Sequence, residues 1–386
     1  MKAEPVILEA LRTPFGRPAG RWAQTRPDAL LAGVLRDVTS SAGVPAETID
    51  DVICGCVSQA GEQGANIARQ AALLAGLHET VPGVTLNRMC GSSQQAVHFA
   101  AQAVAAGDAR YVLACGVESM TRVPMFLDVT LGARPFTGFD GLHPDLLARY
   151  PIPHQIESAE RIAARWQLSR DALDAWSAQS HARAWHAAAQ GWHGELTQGP
   201  GGERQPRDEG VREHIDRARM AAMRPVLEPE GAGRITAANA SQLADGAAAI
   251  LVGDRQQALA DGIRPRARFL ARVVVGSDPL LQLTGVIPAT ERALRQAGLA
   301  LADLDWIEIN EAFASVVLAW LREFDADPRR VNPWGGAIAH GHPLGATGAG
   351  LMAKMLCGLE HTDGTLGLQV MCIGHGMATA TVVERL

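Results

Sequence analysis

Lysine is nearly missing from this chain: Lys2 and Lys354 are the only two in 386 residues, and arginine supplies the rest of the basic charge. The formal net charge is −6, which argues against a surface built for nucleic acid or anionic membrane. No unbroken apolar run is long enough to span a bilayer, and no basic-then-apolar leader precedes the strand-like segment 5–8. A cytoplasmic protein is therefore expected, with neither nucleic acid nor membrane as a partner. Six cysteines in a chain of this size read as reduced thiols rather than a disulfide framework. Cys54 and Cys56, two apart on a strand, are expected to face opposite sides, which is poor metal geometry; with Cys115 and Cys357 they read as core, and no metal is expected.

What is present suits a large buried core. Hydrophobic residues make up 47 % and charged residues 20 %, and 40 glycines supply tight turns and close backbone approaches. The length fits two or three domains. Strand-like runs at 6–9, 51–55 and 111–116 alternate with helical runs at 28–41, 66–75 and 94–106, which implies a layered α/β architecture. From about 118 to 243 Pro, Trp, Arg and His become frequent and apolar periodicity fades, except over 158–190, where a helix is expected. This stretch reads as an inserted surface subdomain. Alternation resumes at 247–254, with strands near 269–275, 306–310 and 366–371. The division expected is 1–117 plus 244–264 as one half, 118–243 as the insert, and 265–386 as the second half. A faint duplication links the halves. Cys90-Gly91-Ser92-Ser93 opens an Ala-rich helix leading to a strand that ends in Cys115-Gly116. His342-Pro343-Leu344-Gly345 opens another helix, leading to the strand before Cys372-Ile373-Gly374.

The chemistry-bearing residues sit at these turns. Cys90 stands at a helix start, where the dipole and unpaired N–H groups favour a thiolate. His342 lies in a turn fixed by glycine and Pro343, and an imidazole can take a thiol proton at neutral pH. His340, without that proline turn, reads as structural. Cys372 precedes Gly374 and Gly376, whose backbone can approach a ligand; a thiol near its ordinary pKa of about 8.5 can move protons both ways, as carbon-acid chemistry needs. Asn310-Glu311 closes a strand, where the amide can hold a water or an oxyanion while Glu311 orients its neighbours.

These residues resemble the thiolase family over nearly the whole chain. The resemblance is carried by Arg12–Gly16, Gly61–Gly64, Asn87–Ser93, Gly116–Met120, Asp208–Arg212, Asn239–Ser241, Asp245–Ala247, Asn310–Phe313, Gly341–Gly345 and Cys372–Gly376. It implies a five-layer αβαβα fold of two similar halves with an inserted loop domain for CoA binding and oligomer contacts. It implies an acyl-CoA C-acyltransferase that cleaves a 3-ketoacyl-CoA with CoA, or runs the reverse Claisen condensation. Cys90 would accept the acyl group, activated by His342. Cys372 would protonate the acetyl-CoA enolate and later deprotonate CoA. His342 and a water on Asn310 would form one oxyanion hole, and the N–H groups of Cys90 and Gly374 the other. His154, Arg212, Leu227, Ser241, Ala312 and Phe313 would contact CoA, with arginines of 204–224 supplying positive charge. Coenzyme A would be a substrate, and no cofactor is implied. A homodimer or homotetramer is implied, and a multienzyme β-oxidation partner is open.

The sequence departs from the common family pattern at His340, His375, Gln242 and Gln155, which leaves room for a longer or more polar acyl chain, such as a ring- or steroid-derived one. A ketosynthase-like condensing enzyme shares the fold but lacks the second cysteine, so Cys372 favours the thiolase side. Intact Cys90, His342, Asn310 and Cys372 speak against a non-catalytic acyl-CoA or sterol binder.

Overall fold

The structure is a computed structural model that describes residues 3–130, 142–198, 207–227 and 233–386. The chain begins with β1 (Pro5–Arg12), α1 (Pro27–Ala42), β2 (Asp51–Gly55), α2 (Ile67–Leu74), β3 (Gly83–Leu86), α3 (Ser92–Ala106) and β4 (Tyr111–Ser119). A helical stretch follows: α4 (Leu127–Thr130), α5 (Pro144–Arg149), α6 (Gln155–Arg165), α7 (Arg170–Ala189) and α8 (Arg217–Ala221). Then come β5 (Asp245–Asp254), α9 (Arg255–Ala260), β6 (Ala267–Gly276), α10 (Val286–Ala297), β7 (Trp306–Ile309) and α11 (Ala314–Phe324). The chain closes with α12 (Ala337–His340), α13 (Leu344–Thr362), β8 (Leu366–Ile373) and β9 (Met377–Arg385).

The strands lie in the order β3-β2-β4-β5-β1-β6-β9-β8-β7. The seam between β1 and β6 is only Val6 opposite Arg268 and Ile7 opposite Ala267, so two mixed sheets meet there. Each sheet repeats one pattern. The strand that follows a buried helix, β4 after α3 and β8 after α13, runs parallel to one neighbour (β2 or β7) and antiparallel to the other (β5 or β9). Helix α13 packs on α3 and touches β4 and β5 on one side and β7 and β8 on the other, while α1 covers the far face of the first sheet and α10 that of the second. The layers are thus helix, sheet, helix, sheet, helix. The central layer needs helices without bulk: a Cβ on Gly348 would lie 2.4 Å from the backbone N of Gln94 in α3. Burial on nearly all sides explains why α13 is mostly small and apolar, with buried Lys354 paired to Glu308 at 3.1 Å. Among the described residues, no helix is long and apolar enough to cross a membrane.

Three expectations change. The stretch 158–190 is two helices, because Gln167 takes a left-handed φ of 50° and Ser169 caps α7 by accepting from the Ala172 N–H at 3.2 Å. Strands β3 and β9 carry weak apolar signals, Ala and Thr alternating in β9, and are held by their neighbours; β9 pairs with β6 and β8 along most of its length. Cys54 and Cys56 do not face opposite sides: both are buried in the core under α1 and α2, and Ile53 points the other way. Residues two apart on extended backbone share a face.

A buried ion cluster ties the end of β1 to the chain around residues 195 and 208. Arg12, 1 % exposed at the end of β1, donates to Asp208 at 2.6 and 3.0 Å and to Glu195 at 3.0 Å; Asp208 also accepts from the Phe15 N–H at 2.7 Å. Burial alone would push the Asp208 carboxyl up, but Arg12 outweighs it and holds that carboxyl below the usual range. Removing one partner of a buried pair strands the other charge. Asp208→Asn is therefore expected to cost about 3 kcal/mol of stability in urea denaturation; a loss below about 1 kcal/mol, the surface-pair range, would contradict this reading.

Candidate active site

Cys90 sits in a tight turn just before α3. Met89 is forced into a left-handed φ of 46°, which costs a non-glycine residue roughly 1–2 kcal/mol. Local hydrogen bonds hold it there: the Met89 N–H donates to Asn87 Oδ1 at 2.7 Å, the Ser92 hydroxyl to the Met89 carbonyl at 2.6 Å, and the Arg88 N–H to Ser92 Oγ at 2.9 Å. Gly91 packs closely: a Cβ there would lie 2.3 Å from Ile373 Cδ1, one residue beyond Cys372, so that side chain would have to shift. Backbone strain of this kind clusters where a side chain must be presented.

His342 follows Gly341, whose φ of 96° suits glycine, and its backbone N–H donates to the Gln242 carbonyl at 2.9 Å. Its Nδ1 lies 2.7 Å from Thr347 Oγ1, and that hydroxyl donates to the Pro343 carbonyl at 2.9 Å. The hydroxyl proton being used there, Nδ1 carries the imidazole proton and Nε2 is the basic nitrogen. Asn310 Nδ2 stands 3.4 Å from that Nε2 and 3.7 Å from Cys372 Sγ. Asn310 Oδ1 is buried with no hydrogen-bond partner among the described residues, which suits accepting from a bound water. Cys90 and His342 line the same cavity, and Cys372 is near enough for its charge to disfavour a second thiolate at Cys90.

The electrostatics correct two expectations. Burial pushes Cys90 up to about 12, against hydrogen bonds from its own N–H and that of Gly374. Burial likewise pushes Cys372 up to about 11 and His342 down to about 4. The helix start therefore does not make Cys90 a resting thiolate, and Cys372 is not near its ordinary value, because loss of solvation outweighs the dipole. At neutral pH both thiols and the imidazole are uncharged. A proton moves when a bound substrate offers somewhere for negative charge to go.

Several residues holding this geometry escape a motif reading. Buried Glu118 accepts from the N–H groups of Val57 at 3.0, Ser58 at 3.1 and Gly345 at 2.9 Å, clamping the His342 turn to the first sheet. Gln242 Nε2 donates to the carbonyls of Gly210, Ile338 and Ala339 at 3.1, 2.9 and 3.0 Å, joining the Gly210 turn to α12 just before His342. Glu311 accepts from Trp176 Nε1, Ser180 Oγ and Asn332 Nδ2 at 3.1, 2.7 and 2.9 Å. His340 is buried with Nδ1 2.9 Å from the Gly341 carbonyl and Nε2 3.4 Å from Lys354 Nζ, outside the cavity lining. Glu311 does orient its neighbours and His340 is structural, as expected from the sequence; Gln242 is marked by its uncommon type, and Glu118 shows its role only through burial.

The cavity over Cys90 encloses about 330 Å³. His154, Ser241, Ala312 and Phe313 line it. Arg212 and Leu227 do not: Arg212 is exposed, with its backbone N–H on His181 Nδ1 at 3.2 Å, and Leu227 is 37 % exposed beside Val226, which does line the cavity. Arg204 lies outside the described residues. Much of the remaining wall is apolar, including Met120, Met125, Phe126, Val129, Leu142 and Leu243, with Asn87, Asp128, Gln155, Thr236, Gln242 and His375 as polar exceptions.

Comparisons with known proteins agree along the whole length. The family model "Thiolase, N-terminal domain" matches residues 5–256, and "Thiolase, C-terminal domain" matches residues 263–385. A protein named steroid 3-ketoacyl-CoA thiolase FadA6, from Mycobacterium tuberculosis, is 44 % identical over 99 % of this chain and 94 % of its own. A 3-ketoacyl-CoA thiolase of Citrobacter koseri is 39 % identical over 99 % of this chain and 98 % of its own. The solved structure of the Bacillus anthracis acetyl-CoA acetyltransferase superposes with a TM-score of 0.89 at 32 % identity, covering 100 % of this chain and 99 % of that one.

Proposed function

Since this chain belongs to the thiolase family, we propose that it cleaves 3-ketoacyl-CoA thioesters whose acyl part is bulky and largely apolar. It is an acyl-CoA C-acyltransferase that takes coenzyme A as a substrate. What supports the catalytic assignment is that Cys90 and His342 line one cavity while Asn310, beside His342 Nε2 at 3.4 Å and Cys372 Sγ at 3.7 Å, brings Cys372 next to them.

In the first half, His342 Nε2 takes the Cys90 proton as the sulfur attacks the 3-keto carbon. The bond between C2 and C3 breaks, leaving an acyl-Cys90 thioester and the enolate of acetyl-CoA. The enolate oxygen is met by His342 and a water on Asn310, and Cys372 gives its proton to C2. In the second half, the Cys372 thiolate takes the proton of incoming CoA. The CoA sulfur attacks the acyl-Cys90 carbonyl, whose oxyanion meets the N–H groups of Cys90 and Gly374. The Cys90 sulfur leaves and recovers its proton from His342. Protons balance over the cycle, and each oxyanion donor contributes about 3 kcal/mol to the lowered barrier.

Residues 118–243 act as the insert that binds CoA between two halves, 1–117 with 244–264 and 265–386. His154, Ser241, Ala312 and Phe313 contact the pantetheine arm inside the cavity, while Arg212 and Leu227 serve the nucleotide end outside it. The chain works as a homo-oligomer in the cytoplasm. An oligomer is supported by β3, an edge strand whose Val84 is 47 % exposed beside Leu73 and Leu74 of α2 at 48 % and 52 %.

The acyl preference rests on the apolar wall and on the relative named for steroid substrates. A thiolysis panel tests it: kcat/KM is expected to be at least about tenfold higher for a 3-ketoacyl-CoA bearing a fused ring than for acetoacetyl-CoA, the scale of one or two buried methylenes. A flat or falling series would refute the preference while leaving the thiolase chemistry intact.

A further inference from the structure

Gln155 opens α6 directly after its N-cap His154, and its side chain reaches the loop after Cys372: a Cβ built on Gly374 would fall 2.8 Å from Gln155 Nε2. Gly374 is the residue whose N–H hydrogen-bonds the Cys90 sulfur, and Gln155 and Cys90 line the same cavity. We propose that Gln155 is a further catalytic residue, its side-chain N–H donating to the Cys90 sulfur as a third donor beside the backbone N–H groups of Cys90 and Gly374. The inference rests on the reading of Cys90 as the nucleophile and adds a participant that the thiolase pattern does not supply here.

Two features make that donor matter. The Cys90 sulfur sits among Leu351, Met371 and Ile373, with Met89 and Met377 packed against them, so a thiolate forming there has little solvation of its own. Hydrogen bonding from Gln155 opposes the upward push of burial on Cys90. The reach of Gln155 is also pinned. Buried Gln282 donates from Nε2 to the Pro153 carbonyl at 2.6 Å and to Ser158 Oγ at 3.1 Å, on either side of the α6 start. Its Oε1 accepts from the His375 N–H at 2.8 Å, so a single amide ties the root of Gln155 to the loop bearing Gly374. Gln282 is thereby a positioning residue for the same donor.

The test is alkylation of Cys90 by iodoacetamide at pH 9 in the intact protein, followed on the Cys90 peptide by mass spectrometry. A charge-assisted hydrogen bond to a thiolate sets the expected scale, so Gln155→Met should slow alkylation by about tenfold. Gln155→Glu keeps the size and shape of glutamine but replaces the donor with a carboxylate, and should be slower still. Wild-type rates in Gln155→Glu, or no change in Gln155→Met, would overturn the proposal, since a packing role predicts that Glu restores what Met loses. Failure of the thiolase reading would show separately, as absent turnover in the unaltered protein, because alkylation needs no substrate.

Discussion

Replacing Cys90 with alanine is expected to lower kcat for 3-ketoacyl-CoA thiolysis by at least about 10,000-fold, the scale seen when a covalent nucleophile is deleted. The loss is that large because no nearby group can take over. Cys372 is held by Asn310 near the end of β8, outside the cavity lining. His342 has Nδ1 committed to Thr347. Water could attack only a carbonyl whose leaving group is a carbanion, which the site would then have to expel without a thioester intermediate to divide the step. Binding should survive, because the sulfur is one small part of a largely apolar wall, so KM or the Kd for a CoA thioester should move by no more than about threefold. Steady-state kinetics and equilibrium binding on the same preparation check both halves of the expectation. Thiolysis retained within tenfold would remove Cys90 from the mechanism, and tight binding with no turnover even in the unaltered chain would make this protein a binder.

The layers and the reactive turns were legible in the sequence because both are local. A buried helix such as α13 must be mostly apolar, with a buried charge such as Lys354 paired, and a tight turn such as Gly341-His342-Pro343 must carry residues that fix the backbone. The two halves could likewise be matched by a reactive side chain at a helix start followed by a strand. What stayed hidden depends on distance in space. Glu118 looks like any strand-end carboxylate until Val57, Ser58 and Gly345 are seen donating to it. Arg12 and Asp208 are 196 residues apart, and nothing along the chain announces their pairing. The resting charge of Cys90 was misjudged for the same reason: the helix start is local and visible, whereas the apolar shell that outweighs it comes from Leu351, Met371 and Ile373 in the other half. Sequence order also could not tell which arginines reach the cavity, and Arg212, named from its motif, stands outside the lining.

Cys372→Ala should separate the two halves of the reaction. Proton transfer by a positioned acid or base contributes about 100- to 10,000-fold, and in the proposed cycle Cys372 serves carbon in one half and sulfur in the other. Carbon holds and releases a proton far less readily than a thiol, so losing the shuttle should slow cleavage of the C2–C3 bond by about 1,000-fold or more. Exchange of labelled CoA into an acyl-CoA uses only acyl-Cys90 formation and its reversal, and should slow by about 100-fold at most. The direction of the pKa shift fits this division. With Cys372 pushed up to about 11, its resting form at neutral pH is the thiol, the form that must give a proton to the enolate in the cleavage direction. In the condensation direction the thiolate that takes the C2 proton is formed when Cys372 gives its proton to the departing CoA, so the same resting thiol starts both directions. Comparing thiolysis with labelled-CoA exchange in the Cys372→Ala variant checks the assignment. Equal losses in both assays would mean that Cys372 holds the pocket together rather than carrying the proton.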